Sequence, residues 1–388
     1  MLFSGIPFLF YFLPCVLLLY FITPGKLKNT VLLLASLFFY GWGEPRYVLW
    51  MIAAIVLGYT FGRLMERFQG RAGLRKTMLV LSVVSSLVIL GYFKYADFFI
   101  ENFNAATGLS VPLLRIALPI GISFYTFQIL SYLIDLYRGK VEVQKSYFRF
   151  TLYVAFFPQL IAGPIVRYSD VAAQLKARSV AADDFASCMC RFVVGLGKNV
   201  LLANQIGALW DQIYALGGET SVLMAWLGAI ASTFQIYFDF SGYSDMAIGL
   251  GRCLGFRFAE NFAHPYCCTS ITDFWRRWHM SLGSFFRDYV YIPLGGNRRH
   301  QVANILVVWF LTGLWHGASW NFVIWGLYFG IIVTLEKYTL LRVRDRIPSV
   351  LLHVYSLLLV VVGWGIFYFD DFGRMTAFFT AFAGNASE

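Results

Sequence analysis

Two histidines in this sequence could act in acid–base chemistry, because each lies in an apolar stretch where ionisable side chains are uncommon. His316 follows a long apolar run, in the sequence Gly313-Leu-Trp-His-Gly317. An uncharged imidazole can take a proton from a hydroxyl group near neutral pH, since its reference pKa is roughly 6.5. Ionisable residues at membrane depth are usually functional. A helix-packing motif, with Gly313 and Gly317 in G-x-x-x-G spacing, explains the same residues about as well.

The second histidine, His279, ends the sequence Phe274-Trp-Arg-Arg-Trp-His279. Ser270 and Asp273 form a capping signature just before it, which predicts that a helix begins here. Seven residues at helical spacing predict that this helix is continuous and has an aromatic face. They are Trp275, Trp278, His279, Leu282, Phe285, Phe286 and Tyr289.

An amphipathic helix at the membrane interface explains this aromatic face, apart from its histidine. A buried His279 needs a hydrogen-bond partner, because an unpaired polar group in an apolar environment is costly. We therefore predict that His279 faces the protein interior near His316. There it could orient a reactant or donate a hydrogen bond to a developing oxyanion.

A third group of polar residues interrupts the apolar sequence between Tyr237 and Gly249. Asp239 and Asp245 place two carboxylates there, with the hydroxyl of Ser241 between them. A structural polar network between helices is the favoured interpretation, and a substrate-binding site is the alternative. On the second interpretation, the candidate substrate-binding residues are Asp239, Ser241, Asp245, Trp275, Trp278, Trp315 and Gly317.

The composition indicates which elements carry these residues. Of the 388 residues, 59% are hydrophobic and 13% are charged, whereas a soluble domain carries about 25% charged residues. Apolar runs of the roughly 20 residues that a spanning helix needs recur from end to end. We therefore predict an all-α, polytopic transmembrane protein that retains its first apolar run as a span. The predicted spans are 5–23, 30–43, 47–65, 78–100, 113–136, 192–214, 223–250, 303–318, 321–337 and 348–369, with shorter apolar pieces at 147–166 and 372–384.

The net charge of +10 is explained by membrane topology and does not indicate nucleic-acid binding. Lys and Arg accumulate in cytoplasmic loops, and one arrangement of the spans places 26 of the 31 Lys and Arg on that side. It requires that segment 147–166, broken by Pro158, Gly163 and Pro164, enters the membrane and returns to the same side. The prediction is a multi-pass protein of the inner or plasma membrane with its N-terminus outside.

No cofactor or metal is expected from the motifs. The six cysteines are scattered, which implies no disulfide framework. His264-Pro-Tyr-Cys267-Cys268 lacks the paired ligand spacing of a zinc site. The sequence also has no phosphate-binding loop, dinucleotide fingerprint or G-x-S-x-G motif.

Six stretches of the chain resemble the membrane-bound O-acyltransferase family, in particular its bacterial alginate O-acetyltransferase branch. The resemblance runs from about residue 3 to residue 370. The matching stretches are Leu118–Gln128, Pro158–Pro164, Tyr237–Gly249, Phe274–His279, Tyr291–Asn297 and Gly313–Gly317. Leu-Gly-Gly-Asn at the end of the fifth stretch favours polysaccharide acetylation over the D-alanylation of teichoic acid.

The resemblance implies a single membrane-embedded domain, residues 1–388, of about eleven transmembrane or re-entrant helices around a funnel or tunnel. It implies transfer of an acyl group, such as acetyl, from a cytoplasmic thioester such as acetyl-CoA. The acceptor is then a hydroxyl of an extracytoplasmic polysaccharide or of a partner acetyltransferase with an esterase-like fold, and membrane lipids surround the protein. The family's near-invariant histidine corresponds to His316, and its second functional histidine to His279. Members of this branch usually continue past the point where this chain ends, in Gly384-Asn-Ala-Ser-Glu388, so either a truncated C-terminus or a natural short form is expected.

Two other classes of function use the same features. A transporter or flippase for an acylated carrier, or a scaffold subunit that recruits a secreted partner, would make and break no bond itself. The pair of histidines argues against both. The identity of the acceptor stays open, since alginate, cellulose, peptidoglycan and other envelope glycans are served by proteins of this kind.

Overall fold

The computed structural model describes residues 1–217 and 220–384, and within these residues every regular element is helical. Among the described residues, six helices are long and apolar enough to cross a membrane. They are Val48–Arg67, Ala72–Thr107, Asp183–Ala215, Val222–Cys253, Trp320–Arg346 and Ser349–Tyr368. The all-α, polytopic membrane protein predicted from the composition is thereby confirmed, whereas the count of eleven helices and the tunnel stay predictions. The expected C-terminal shortening is inferred partly from residues 385–388, and these lie outside the described residues.

The chain forms two compact units. The first comprises Met1–Val194 and Tyr243–Ala259, and the second comprises Gly195–Gly242 and the chain from Glu260 onward. The helices of the first unit are α1 (Pro7–Ile22), α2 (Lys28–Gly43), α3 (Val48–Arg67), α4 (Ala72–Thr107), α5 (Ile122–Tyr137), α6 (Tyr147–Ala155), α7 (Phe157–Leu160), α8 (Tyr168–Lys176) and most of α9 (Ala182–Gly197).

The apolar piece predicted to be broken, 147–166, is interrupted as expected. Helix α6 ends at Ala155, Phe156 leaves the helical conformation with ψ of 113°, and the four-residue α7 follows. Pro158, Gln159 and Leu160 are buried. Non-helical backbone at membrane depth is tolerated where protein covers it, so the break and its burial agree with a re-entrant segment.

Two predicted helix boundaries in this unit are wrong. The span predicted at 113–136 begins only at Ile122, because two prolines precede it and Gly121 adopts a positive φ of 76°. A Cβ atom on Gly121 would collide with the carbonyl oxygen of Leu160. Helix α4 is instead longer than predicted. It runs from Ala72 to Thr107, whereas the predicted span covers 78–100, because polar residues at both ends continue the helix beyond its apolar part.

The second unit contains the region of both histidines. After the π-helical turn Lys198–Ala203 its helices are α10 (Asn204–Ala215), α11 (Val222–Cys253, up to Gly242), α12 (Ile271–Arg277), α13 (Met280–Phe286), α14 (Gln301–His316), α15 (Trp320–Tyr338), α16 (Leu340–Val343), α17 (Ser349–Tyr368) and α18 (Phe372–Phe382). A core of buried aromatic residues joins α12, α15 and α17, with Phe274, Trp278, Trp325 and Trp364 among its members.

Glycines bring α14 and α15 into close contact. A Cβ atom on Gly313 would collide with the backbone oxygen of Phe322, and one on Gly326 would collide with the backbone oxygen of Trp309. Small residues let two helix backbones approach in this way. The close approach predicted from Gly313 is therefore observed, and it fixes the end of α14 against the start of α15.

Candidate active site

His316 is the last residue of α14, where the chain leaves the helix. Gly317 follows in an extended conformation with φ of −165°. A Cβ atom at this position would overlap the ring of Phe322. Only glycine fits beside the histidine without displacing the ring of Phe322, so the packing between α14 and α15 limits where the imidazole lies.

Aromatic rings surround the half-buried imidazole of His316. Its centroid lies 4.9 Å from that of Trp315, 4.9 Å from that of Trp325 and 5.1 Å from that of Phe367. All three rings meet it nearly edge-on, at 79° to 84°. The surrounding rings therefore limit the rotation of the imidazole, which is the preorganisation that a proton-transferring group needs.

The continuous helix predicted through His279 is wrong. Helix α12 ends at Arg277, His279 adopts the left-handed conformation with φ of 45° and ψ of 53°, and α13 begins at Met280. The segment before α12 takes over the backbone hydrogen bonds of a continuous helix. The amide of Ala263 donates to the carbonyl of Arg277 over 2.9 Å, and the amide of Met280 donates to the carbonyl of Asn261 over 2.9 Å.

This backbone conformation is strained, and its position is informative. A left-handed conformation at a residue other than glycine costs on the order of 1–3 kcal/mol and is enriched at functional sites. The break also separates the predicted aromatic face. Trp275 and Trp278 pack in the core of α12, α15 and α17, whereas Phe285 and Tyr289 follow on the next helical segment.

His279 lies in the interior, with 2% of its surface exposed. Its ring packs edge-on against Phe240 at 4.7 Å and lies 5.7 Å from Trp315. Trp315 therefore contacts both histidine rings, although they are far apart in sequence. Burial lowers the pKa of His279 to about 3, so its imidazole carries no charge at physiological pH.

Two caps hold α12 in place. The hydroxyl of Ser270 accepts a hydrogen bond from the amide of Asp273 at 3.0 Å, which confirms the predicted capping signature. Glu336, at 1% exposure, supplies the second cap from α15. Its carboxylate accepts from the amides of Ile271 at 2.6 Å and Thr272 at 2.8 Å. A carboxylate at a helix N-terminus is stabilised by unpaired amides and by the helix dipole.

The polar residues predicted from the third group have different partners. Asp239 lies in the second unit and accepts a hydrogen bond from the side chain of Asn199 at 2.6 Å. Ser241 is buried in the same unit. Asp245 belongs to the first unit, where Arg191 binds its carboxylate at 2.9 Å. Both carboxylates thus have the partners that a structural polar network requires, and their substrate-binding role stays a prediction.

Of the other candidates, Trp315 and Gly317 flank His316 directly, and Trp275 and Trp278 lie in the aromatic core of the same unit. Sequence reasoning missed two residues. Asn261 binds both His279 and α13, and Glu336 caps α12. A carboxylate near the end of an apolar run was a usable signal for Glu336. No local pattern marks Asn261, because its importance comes from contacts with residues 18 to 20 positions away.

Comparison with known proteins gives the family. The model of the MBOAT, membrane-bound O-acyltransferase, family matches residues 38–376. The chain is 44% identical to the probable alginate O-acetylase AlgI of Azotobacter vinelandii over 95% of this chain and 75% of that protein. It is 34% identical to the peptidoglycan O-acetyltransferase of Helicobacter pylori over 95% and 77%. It is 28% identical to the teichoic acid D-alanyltransferase of Bacillus subtilis over 56% and 59%. This chain, with two histidines in one aromatic environment, belongs to the membrane-bound O-acyltransferase family.

Proposed function

We propose that this membrane O-acyltransferase moves an acetyl group from a cytoplasmic thioester, such as acetyl-CoA, to a hydroxyl outside the membrane, with His316 as general base. The observation that carries the assignment is the position of His316, at a helix end and within three aromatic rings. The acceptor is a polysaccharide or a serine of an esterase-like partner. The alginate and peptidoglycan acetyltransferases support acetyl transfer to a glycan, since both match 95% of the chain. The D-alanyltransferase matches 56% at lower identity.

The reaction follows from the position of the base. The imidazole of His316 takes the proton of the acceptor hydroxyl as its oxygen attacks the thioester carbonyl. The tetrahedral intermediate then expels the thiolate, and the proton on the imidazole passes to the leaving sulfur. A thiolate is a good leaving group, so removal of the proton and alignment of the reactants carry most of the catalytic effect. A positioned general base contributes about 10²–10⁴-fold.

The basic residues around α12 and α13 are candidates for binding the phosphates of the donor. Arg277 pairs with Asp273 at 3.0 Å, and Arg287 pairs with Asp288 at 2.7 Å. Arg276 is exposed on the same segment. Guanidinium groups bind phosphate by paired hydrogen bonds, but they also bind anionic lipid. We assign most of these arginines to lipid, and an unchanged KM for the donor after Arg276→Gln would agree with that assignment.

The proposed topology follows from the distribution of Lys and Arg among the loops. It places the protein in the inner or plasma membrane with its N-terminus on the outer side. Single cysteines at 66–76, 167–191 and 337–346 should then resist a membrane-impermeant reagent in intact cells. Labelling of two of these segments from outside would reverse the orientation.

The function is tested with purified protein, a radiolabelled acetyl thioester and a glycan acceptor. The wild-type protein should release thiol and form acetyl ester, and His316→Ala should do neither while still inserting and purifying normally. His300→Asn is the matched control. His300 is an exposed histidine with φ of 47°, a conformation that asparagine tolerates. Near-wild-type transfer by His316→Ala would exclude this residue as the base, and a wild-type protein that cleaves no thioester would favour a transporter or scaffold.

A further inference from the structure

The side chain of Asn261 determines the chemical state of His279. Asn261 is fully buried, and its Oδ1 atom lies 3.0 Å from Nδ1 of His279. The backbone of Asn261 is held as well, because its carbonyl accepts the amide of Met280. The backbone of Asn261 therefore cannot move away from the imidazole without breaking the start of α13.

The orientation of the Asn261 amide follows from its other neighbour. The backbone amide and the hydroxyl of Ser281 both lie within hydrogen-bond distance of Oδ1, at 3.4 and 2.9 Å. A backbone N–H can only donate. The atom of Asn261 that faces it must then be the oxygen. The same oxygen faces Nδ1 of His279, so this ring nitrogen must carry the proton.

The other ring nitrogen consequently has a lone pair. A neutral imidazole carries one proton, and with that proton on Nδ1 the Nε2 atom can only accept. Nε2 is buried and makes no hydrogen bond to any described residue. Leaving a buried acceptor unpaired lowers the stability of the folded chain. The strained backbone of His279 adds to this cost, so the chain maintains an unpaired acceptor at the expense of stability.

We propose that Asn261 is a positioning residue that holds His279 as its Nδ1–H tautomer, and that Nε2 accepts a hydrogen bond from the acceptor hydroxyl. The inference rests on the acyl transfer proposed above. It changes the role expected for His279, because an Nε2 atom without a proton cannot donate to an oxyanion. His279 then orients the hydroxyl that His316 deprotonates, and the shared contact with Trp315 places both rings in one environment.

The tautomer can be measured without substrate and without catalysis. The full chain, labelled with ¹⁵N in its histidine rings and purified in detergent, is examined by NMR, which distinguishes protonated from unprotonated ring nitrogens. The His279 signals are identified by their loss in His279→Asn. In the wild type, the protonated nitrogen should be Nδ1 and the unprotonated one Nε2. Asn261→Ala should give a mixture of tautomers. Ser284→Ala, which removes a nearby hydroxyl from α13, should leave the spectrum as in the wild type. A proton on Nε2 in the wild type would overturn the proposal.

Kinetics provide the second measurement. Asn261→Ala should lower kcat about tenfold, the effect of losing one positioned hydrogen bond, with the KM of the donor unchanged. His279→Asn keeps a residue that tolerates the left-handed backbone but removes Nε2, so it should lower kcat similarly. The double variant should be no worse than His279→Asn, because the two residues act through one contact. Fully additive losses, or a wild-type rate for Asn261→Ala, would reject the proposal. A raised KM for the donor would indicate that Nε2 of His279 binds an N–H group of the donor and not the acceptor hydroxyl. That result would also reject the proposal.

This result is independent of the base assignment. If His316→Ala retains transfer, the proposed general base fails, while the ¹⁵N spectrum still decides the tautomer of His279. If Asn261→Ala does not fold, Asn261→Ser is the replacement variant, and the wild-type spectrum alone still distinguishes the two tautomers.

Discussion

The two histidines are positioned in different ways. His316 depends on neighbours in sequence, since α14 carries it, Gly317 ends the helix, and α15 begins three residues later. His279 depends on distant residues, because Asn261 holds its ring and Glu336, 65 residues beyond Ile271, caps the helix before it. The comparison suggests that aromatic packing, mostly from the α14–α15 hairpin and completed by Phe367 of α17, positions the proposed base, whereas long-range hydrogen bonds position the group proposed to assist it. Changes at the two sites should therefore differ in size and in kind.

The largest difference is expected from direct replacement. His316→Ala should lower kcat by about 10²–10⁴-fold, since it removes the general base. His279→Asn should lower kcat only about tenfold, because the base stays in place. Initial rates of acetyl transfer by the purified variants measure both effects. Equal losses at the two positions would mean that the histidines act as one unit and that the proposed division of roles is wrong.

A local change beside His316 should also inactivate the protein. Gly317→Leu forces a side chain into the ring of Phe322, which packs on Phe367, a neighbour of His316. We expect the rate of acetyl transfer to fall by more than tenfold. The free energy of unfolding should fall by about 1–3 kcal/mol, the usual effect of overpacking. Gly91→Leu is the matched control, because nothing lies within 4 Å of the Cβ position of this helical glycine. Comparable activity of the two variants would contradict the packing account.

A distant change should affect the His279 region more mildly. In Glu336→Gln the amide group cannot accept the second of the two backbone N–H groups at the start of α12, so one capping hydrogen bond is lost. The expected cost is about 1–2 kcal/mol of stability, with a several-fold lower kcat. Thermal unfolding and initial rates report the two effects, and Glu101→Gln, at an exposed glutamate of α4, is the control. A neutral outcome would show that α12 keeps its position without this cap.

A separate effect concerns the pH dependence of stability. Burial lowers the pKa of His279 from 6.5 to about 3, so between these values the unfolded chain binds a proton that the folded chain does not. Stability contributed by the neutral ring is therefore fully present above about pH 6.5 and is lost as the pH falls toward 3. His279→Asn cannot titrate and should lose less stability on acidification than the wild type. Identical pH profiles of thermal unfolding would contradict the buried, neutral state.

The sequence alone determined the class of the protein and much of the His316 site. Apolar runs longer than a bilayer core can be identified without a structure, because each is a local property of consecutive residues. The same holds for the break within 147–166, for the cap at Ser270, and for Gly313, one of the two glycines that bring α14 against α15. His316 could be selected because an ionisable residue is conspicuous in an apolar run.

The tertiary structure alone decided the conformation of the His279 region and the partners of Asp239 and Asp245. The periodicity of residues 275–289 favours an unbroken helix, yet His279 interrupts it. The reason is that hydrogen bonds to Asn261 and Ala263 replace those within the helix. Helical periodicity reports only which residues share a face if the helix continues. Whether it continues depends on donors and acceptors that approach from remote parts of the chain, and their positions are known only after the chain has folded.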